Sequence, residues 1–411
     1  MKYQLHKKKS HLKLYVGILI LVVGAGAGAV TYAKQGPQQA PKPAAQQNRP
    51  KQAAATHTDA TGKYLFSGTI MLGRAVERDA AGNKEQPFSG ITGLGEFDAR
   101  IGVLECPITT NQDTFQNQVD NLIFNCQPSW LPVLKKYYPI LSLSSNHLGD
   151  QGPHGYAATV KNLTYAGFQT VGNYNPHAQK DNCKAVLLPV KPSGQLPVAF
   201  CSFNYKTLFK PEPGELESIS KWAKKMPVIG MMNGGPEYQH VAGAAQTEVA
   251  RKTIDLGADM VVGNGTHWVQ NTEVYKGKLI EYSMGNFIFD QYDYDGRLAL
   301  NLVVNMTVPG SANLDKWLTV APDCQARALG VEAVANPAAD STAQIYASTS
   351  TASPTCLAAA KDLAKLQPKF TFDIVGSYGG LRDVAHRANA QQQADIESRA
   401  TWAATKAALG Q

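Results

Sequence analysis

Apolar residues in this chain come either in short uninterrupted runs or at every third or fourth position, and the two patterns alternate from about residue 63 onward. Such alternation predicts strands and helices in turn, the signature of a layered α/β domain. Six runs read as strands: Tyr64 to Met71, Ile101 to Glu105, Ile140 to Ser144, Val228 to Met232, Met260 to Gly263 and Leu279 to Ser283. Helical spacing is predicted over Thr114 to Lys136, His154 to Ala166, Gly214 to Lys225 and Gln246 to Leu256. Gly167 and Gly257 follow two of these directly and supply the residue type that most readily ends a helix. Ala185 to Val190 and Leu196 to Phe200 flank Lys191-Pro192-Ser193-Gly194-Gln195 and predict a hairpin, while Tyr275-Lys276-Gly277-Lys278 predicts a tight turn. Toward the end, Ser341 to Pro354 reads as a Ser/Thr/Ala-rich loop, and the Ala- and Gln-rich stretch Arg382 to Leu409 as a terminal helix.

The first 62 residues differ. Leu14 to Ala33 is a run of 20 residues without a charge, preceded by Lys2, Lys7, Lys8, Lys9 and Lys13. At about 1.5 Å per residue a helix of that length spans the roughly 30 Å of bilayer hydrocarbon, and the basic flank predicts a cytoplasmic N-terminus with the rest of the chain outside. A cleaved signal peptide is the alternative, with Ala25, Ala27 and Ala29 as small residues for a peptidase; the apolar run is longer than the ~7–15 residues usual there. Residues 34–62 are rich in Gln, Ala, Pro and Lys and carry too little apolar surface to offset the entropy of ordering. The expected organisation is therefore a basic tail (1–13), a transmembrane anchor (14–33), a spacer (34–62), an α/β domain (63–308) and a C-terminal extension (309–411).

Composition adds two constraints. The formal charge of +7 is weighted by nine Lys and Arg residues within the first 51 positions, so it belongs to the tails and does not predict nucleic-acid binding. Six cysteines, at 106, 126, 183, 201, 324 and 356, are even in number and contain no C-x-x-C, which fits disulfides in an oxidising compartment; sequential pairing is the simplest arrangement, and reduced buried thiols are the alternative.

The candidate chemistry sits where predicted strands end, the place where open α/β sheets put ligand-binding loops. In chain order these segments are Ser67-Gly68-Thr69-Ile70-Met71-Leu72-Gly73-Arg74, Val103-Leu104-Glu105-Cys106-Pro107, Asn146-His147 with Asp150 and Gly152, Asn233-Gly234-Gly235-Pro236-Glu237-Tyr238, Gly263-Asn264-Gly265-Thr266-His267-Trp268, and Tyr282 to Asp290. Taken together they resemble the bacterial capsule-synthesis CapA, or poly-γ-glutamate-synthesis, family over about Lys63 to Gln291. The resemblance implies a layered α/β sandwich of the metallophosphoesterase type and a metal-binding centre. It also marks departures. Thr69 stands where the family has Asp, Val103 where it has Asn, and Asn233 and Gly265 where it has histidines.

What remains at matching positions is Glu105, Asn146, His147 and His267, of which Glu105, Asn146 and His267 are the candidates for holding one divalent ion (Mn, Zn, Fe or Mg). His147 and Asp150 are the candidates for acid–base work, and Arg74, Asn233 and Glu237 for substrate. A solvated strand-end carboxylate, a packing histidine and a surface ion pair are the plain alternatives for Glu105, His267 and Arg74. The implied setting is a single-pass protein of the bacterial cell membrane with its main domain extracytoplasmic. Its expected partners are an anionic cell-envelope polymer and a membrane synthase complex. Two function classes follow: a binding or assembly module using a cleft that has lost metal ligands, or a hydrolase working with one ion.

Overall fold

The computed structural model describes residues 56–111, 115–177, 182–206, 210–212, 214–320, 354–380 and 384–411. The apolar run Leu14 to Ala33, the spacer up to residue 55 and the loop expected from Ser341 lie outside them. No helix among the described residues is long and apolar enough to cross a membrane.

Fourteen strands are described: β1 (Ala60–Ile70), β2 (Ala99–Leu104), β3 (Ile140–Ser142), β4 (Gln169–Val171), β5 (Cys183–Pro189), β6 (Gln195–Asn204), β7 (Val228–Asn233), β8 (Met260–Asn264), β9 (Thr272–Tyr275), β10 (Lys278–Glu281), β11 (Asn286–Ile288), β12 (Leu298–Val308), β13 (Lys369–Gly379) and β14 (Ala385–Arg387). They make two sheets. The first runs β14-β13-β12-β1-β2-β3-β4, with β11 pairing beside β1; the second runs β5-β6-β7-β8-β10-β9. β1 to β4 are mutually parallel, as are β6, β7, β8 and β10.

Side chains alternate across each strand, so each sheet buries two faces. Inward, Tyr64, Phe66, Ile101 and Val103 meet Val198, Phe200, Ile229, Met231 and Val262 of the second sheet. Outward, Ile70, Leu104 and Leu141 pack under Trp130, Leu134 and Leu163, while Ala199, Val228 and Val261 pack under Ile219, Val249 and Ile254. The result is the α/β sandwich expected from the sequence, with helices outside and two sheets within. β13 joins β12 in an antiparallel ladder, so residues from the C-terminal hundred complete the first sheet.

Two predicted helices differ. Thr114 to Lys136 is not continuous: a helix over Phe115–Asn121 ends at Leu122, whose φ is +51°, and a second over Leu131–Tyr137 follows Pro128. Between them a disulfide ties Cys126 to Cys106 at a Cα separation of 5.8 Å and pulls the chain back onto the loop after β2. Helical spacing of apolar residues cannot register such a tether. Likewise Arg382 to Leu409 contains β14 and then two helices, Ala390–Arg399 and Trp402–Ala408, broken at Thr401 with φ +51°.

The hairpin prediction holds. β5 and β6 pair with Cys183 directly opposite Cys201, and the two are disulfide-bonded. Cys356 is disulfide-bonded as well; the expected partner Cys324 lies outside the described residues. The predicted turn at Tyr275 to Lys278 has positive φ at Lys276 and Gly277, as a two-residue hairpin turn requires.

Glu281, on β10, is fully buried; one oxygen accepts the Gly263 N–H at 3.3 Å and the other has no partner. Burial pushes its carboxyl well above the usual range, against the smaller opposing pull of backbone N–H groups at Gly263 and Ser283. Since the folded form holds the proton more tightly than the unfolded chain, stability is fullest below the ordinary value of about 4.3 and falls as pH rises above it. Glu281→Gln is therefore expected to raise Tm by about 2 °C or more at pH 8 and by little at pH 4. A Tm difference independent of pH would contradict this account.

Candidate functional site

Loops from both sheets leave the C-terminal ends of their parallel strands at the same end of the sandwich. The first sheet supplies Arg74 after β1, Glu105 after β2 and the short turn Asn146–Gly149 after β3. The second supplies Asn204 and Lys206 at the end of β6, Asn233 at the end of β7, and Asn264 and His267 at and beyond the end of β8. Arg74, Tyr238 and His267 all have positive φ, a costly conformation for side chains of that size that the surrounding contacts must hold.

On the first-sheet side, His147 donates from Nδ1 to Asp150 Oδ2 at 2.8 Å, and the same oxygen accepts the Phe124 N–H at 2.7 Å. The imidazole lies flat on the Phe124 ring, with centroids 4.0 Å apart. Burial pulls the imidazole pKa down, but the Asp150 hydrogen bond and the negative charge of Glu105 outweigh it and leave the pKa raised. Glu105 is 1% exposed, which rules out a solvated strand-end carboxylate, and its Oε2 has no hydrogen-bond partner. Arg74 is not a surface ion pair. Its guanidinium packs over Phe124 at 4.5 Å and near Phe289 at 5.3 Å, and it pairs with Asp290, whose second oxygen accepts the Ala75 N–H at 3.1 Å.

On the second-sheet side the polar groups are mostly amides. Asn233 Nδ2 donates to Asn146 Oδ1 at 3.2 Å and to Asn204 Oδ1 at 3.3 Å, and Thr69 Oγ1 donates to Asn264 Oδ1 at 3.5 Å. Asn286 gives both its N–H groups to Gln291 and Gly296, so its Oδ1 is the acceptor for His267 Nδ1–H at 3.0 Å. Nδ1 is thus the nitrogen engaged within the protein, and Nε2 faces the cleft 3.9 Å from Glu237 Oε1. Lys206 Nζ donates to the Gly265 carbonyl at 2.7 Å and the Gly235 carbonyl at 3.1 Å, and lies 3.1 Å from Glu237 Oε1.

The structure thus joins His147, Asp150 and Glu105 on one side, Asn146 to Asn233 across the two sheets, and His267 to Glu237 on the other. Phe289 links the sides, stacked near Arg74 and edge-on to His267 at 5.2 Å. Phe124, Lys206 and Asn286 were not anticipated. Phe124 sits within the stretch read as one helix, Lys206 beyond an apolar strand with no motif around it, and Asn286 inside the segment Tyr282 to Asp290, none of whose residues was given a site role.

Among the described residues no three of His, Cys, Asp and Glu converge so as to hold a metal ion. Asn146 Oδ1 already accepts from Asn233. At Gly265, φ is +93° and an added Cβ would lie 2.6 Å from Asn233 Oδ1, so a larger side chain has no room there. The donors present do not fit a two-ion centre.

A family model described as bacterial capsule synthesis protein PGA_cap matches residues 63–291, more than half of the chain. The chain belongs to that family. This PGA_cap protein is 28% identical over 254 residues to the PGA biosynthesis protein CapA of Bacillus subtilis (strain 168), covering 57% of this chain and 65% of that one. It is 27% identical over 255 residues to the capsule biosynthesis protein CapA of Bacillus anthracis, covering 54% and 59%. The match thus spans less than two thirds of either curated relative's length. A solved calcineurin-like phosphoesterase, YfkN from Bacillus subtilis, aligns over 62% of this chain and 87% of its own with a TM-score of 0.34 and 12% identity, too low a likeness to bear on the site.

Proposed function

We propose that this PGA_cap protein acts in the synthesis or export of a capsule or poly-γ-glutamate-type polymer as a binding or assembly module, with a cleft that has lost part of a metal centre. It is anchored in the bacterial membrane by Leu14 to Ala33, with the sandwich outside. The two disulfides, Cys106–Cys126 and Cys183–Cys201, support the extracytoplasmic placement. The observation that carries the module reading is the contact of Asn233 with Asn146 beside Gly265: a hydrogen-bonded amide, Asn233, and a glycine, Gly265, occupy the two positions where the resemblance implies histidines.

A second reading is a hydrolase with one divalent ion on Glu105, Asn146 and His267, which would supply an activated water. It is favoured by the unpartnered, buried Oε2 of Glu105. The two readings separate on the purified full chain by metal analysis after dialysis and an assay with a generic phosphodiester plus Mn or Zn. The module reading expects far less than one ion per chain and no turnover. A stoichiometric ion, with hydrolysis abolished by His267→Ala, would reverse the conclusion.

A further inference from the structure

The outer surface of this cleft is unusual in where it leaves apolar groups exposed. Nine large hydrophobic side chains are exposed among the described residues. Four lie between Phe115 and Ile123, two are Tyr238 and Val241, and two are Tyr292 and Tyr294. All eight belong to segments that follow β2, β7 and β11, which also carry the site. Only Tyr165 lies elsewhere. Apolar groups gathered on one rim mark a contact surface.

The polar half of the surface narrows what can bind. Tyr238 is 40% exposed although its backbone sits at φ +55°. Its ring stacks on His267 at 5.7 Å and meets Trp268 edge-on at 5.9 Å, and its hydroxyl accepts from Gln291 Nε2 at 3.2 Å. Trp268 in turn stacks on His240 at 4.8 Å and donates Nε1–H to Asp293 at 3.1 Å. The cations nearby are already neutralised: Arg74 by Asp290, Lys206 by Glu237 and Arg399 by Asp295. Among the described residues, Asp293, which is exposed beside Trp268, has no Lys or Arg partner in an ion pair. At the platform itself a polymer bearing a carboxylate on every unit meets the Asp293 carboxylate that accepts from Trp268, while Arg74 and Lys206 are already paired.

A sugar ring has the complementary chemistry. Its C–H face packs on an aromatic ring, and its hydroxyls donate to carboxylates and amides without bringing charge. We propose that the Tyr238–Trp268 platform at the cleft mouth is a subsite for an uncharged sugar unit of a glycan chain. The inference rests on the module reading and specifies the chemistry of what the cleft holds.

The test is a titration of the full chain, kept in a polyoxyethylene detergent so that no sugar detergent competes. The probes are cellohexaose, hexa-N-acetylchitohexaose and a hexamer of γ-linked glutamate. The expected result is that at least one neutral hexasaccharide binds with a Kd below about 1 mM, a modest affinity by the scale of binding free energies. Tyr238→Ala and Trp268→Ala are each expected to weaken that binding at least tenfold. Tyr238→Phe, which keeps the ring, and Tyr165→Ala, remote from the mouth, are expected to change it less than threefold. Unchanged Tm values would show that the alanine variants remain folded, and the Phe variant keeps the test valid if they do not. Binding of the glutamate hexamer with no sugar binding overturns the glycan proposal and leaves the module reading standing. Binding of neither probe also overturns it, as does sugar binding indifferent to Tyr238 and Trp268. A stoichiometric metal with hydrolysis would instead remove the module reading itself.

Discussion

Arg74→Ala is expected to cost about 3–5 kcal/mol of unfolding free energy, because it leaves the Asp290 carboxylate buried without its cation. Arg74 and Asp290 side chains are 10% and 6% exposed, so water cannot take over the vacated position. The same change removes the guanidinium from between Phe124 and Phe289, an attraction worth about 0.5–2 kcal/mol in partly desolvated sites. Arg74→Lys keeps a charge but not the flat group that fills the gap between the rings, and is expected to recover only part of the loss. The double variant Arg74→Met with Asp290→Asn removes both charges and is expected to be less destabilised than Arg74→Ala alone. Urea unfolding of the four proteins gives the comparison. A loss below about 1 kcal/mol for Arg74→Ala, the range of exposed pairs, would mean that the pair is far wetter than its geometry implies.

The second large effect concerns Gly265. Gly265→His, which installs the residue that the resemblance implies, is expected to destabilise the fold by about 2–4 kcal/mol. The backbone there sits at φ +93°, a strain of about 1–3 kcal/mol for a residue with a side chain, and the new Cβ would meet Asn233 Oδ1 at 2.6 Å and the Gly234 nitrogen at 3.0 Å. Gly265→Ala isolates the backbone and contact cost without the imidazole and is expected to lose most of the same amount. Metal affinity is not expected to return with the histidine. Thermal unfolding with and without added Zn or Mn reads both quantities. A stable Gly265→His protein whose Tm climbs with metal would show that the loop can rearrange to hold an ion.

Much of this was legible in the sequence, and the parts that were not share a cause. The six predicted strands exist because strands buried on both faces must be continuous apolar runs, a pattern few other elements produce. β13 escaped, since Lys369, Thr371 and Asp373 alternate with apolar partners outside any motif and its ladder with β12 joins residues about seventy positions apart. The break in Thr114 to Lys136 was signalled by Pro128 and Pro132, while the Cys106–Cys126 tether that accompanies it leaves no mark on apolar spacing. Within the site, the structure pairs His147 with Asp150, Asn146 with Asn233 and His267 with Glu237, while Lys206 and Phe124 escaped notice. Their roles depend on what three other loops bring to them, and a single sequence records only neighbours along the chain. His147 and Asp150, three positions apart, could be paired from spacing; Arg74 and Asp290, more than two hundred apart, could not.

The ladder between β12 and β13 runs over ten register positions from Leu298 to Thr307. The family match stops at residue 291, well before it. A shortened protein ending soon after β12 would leave a long apolar strand with an open row of amides and carbonyls, a template on which a second molecule can add its own strand. Such a truncation is expected to self-associate into insoluble material rather than yield a smaller working unit, so the tail is the part of the molecule that covers this edge.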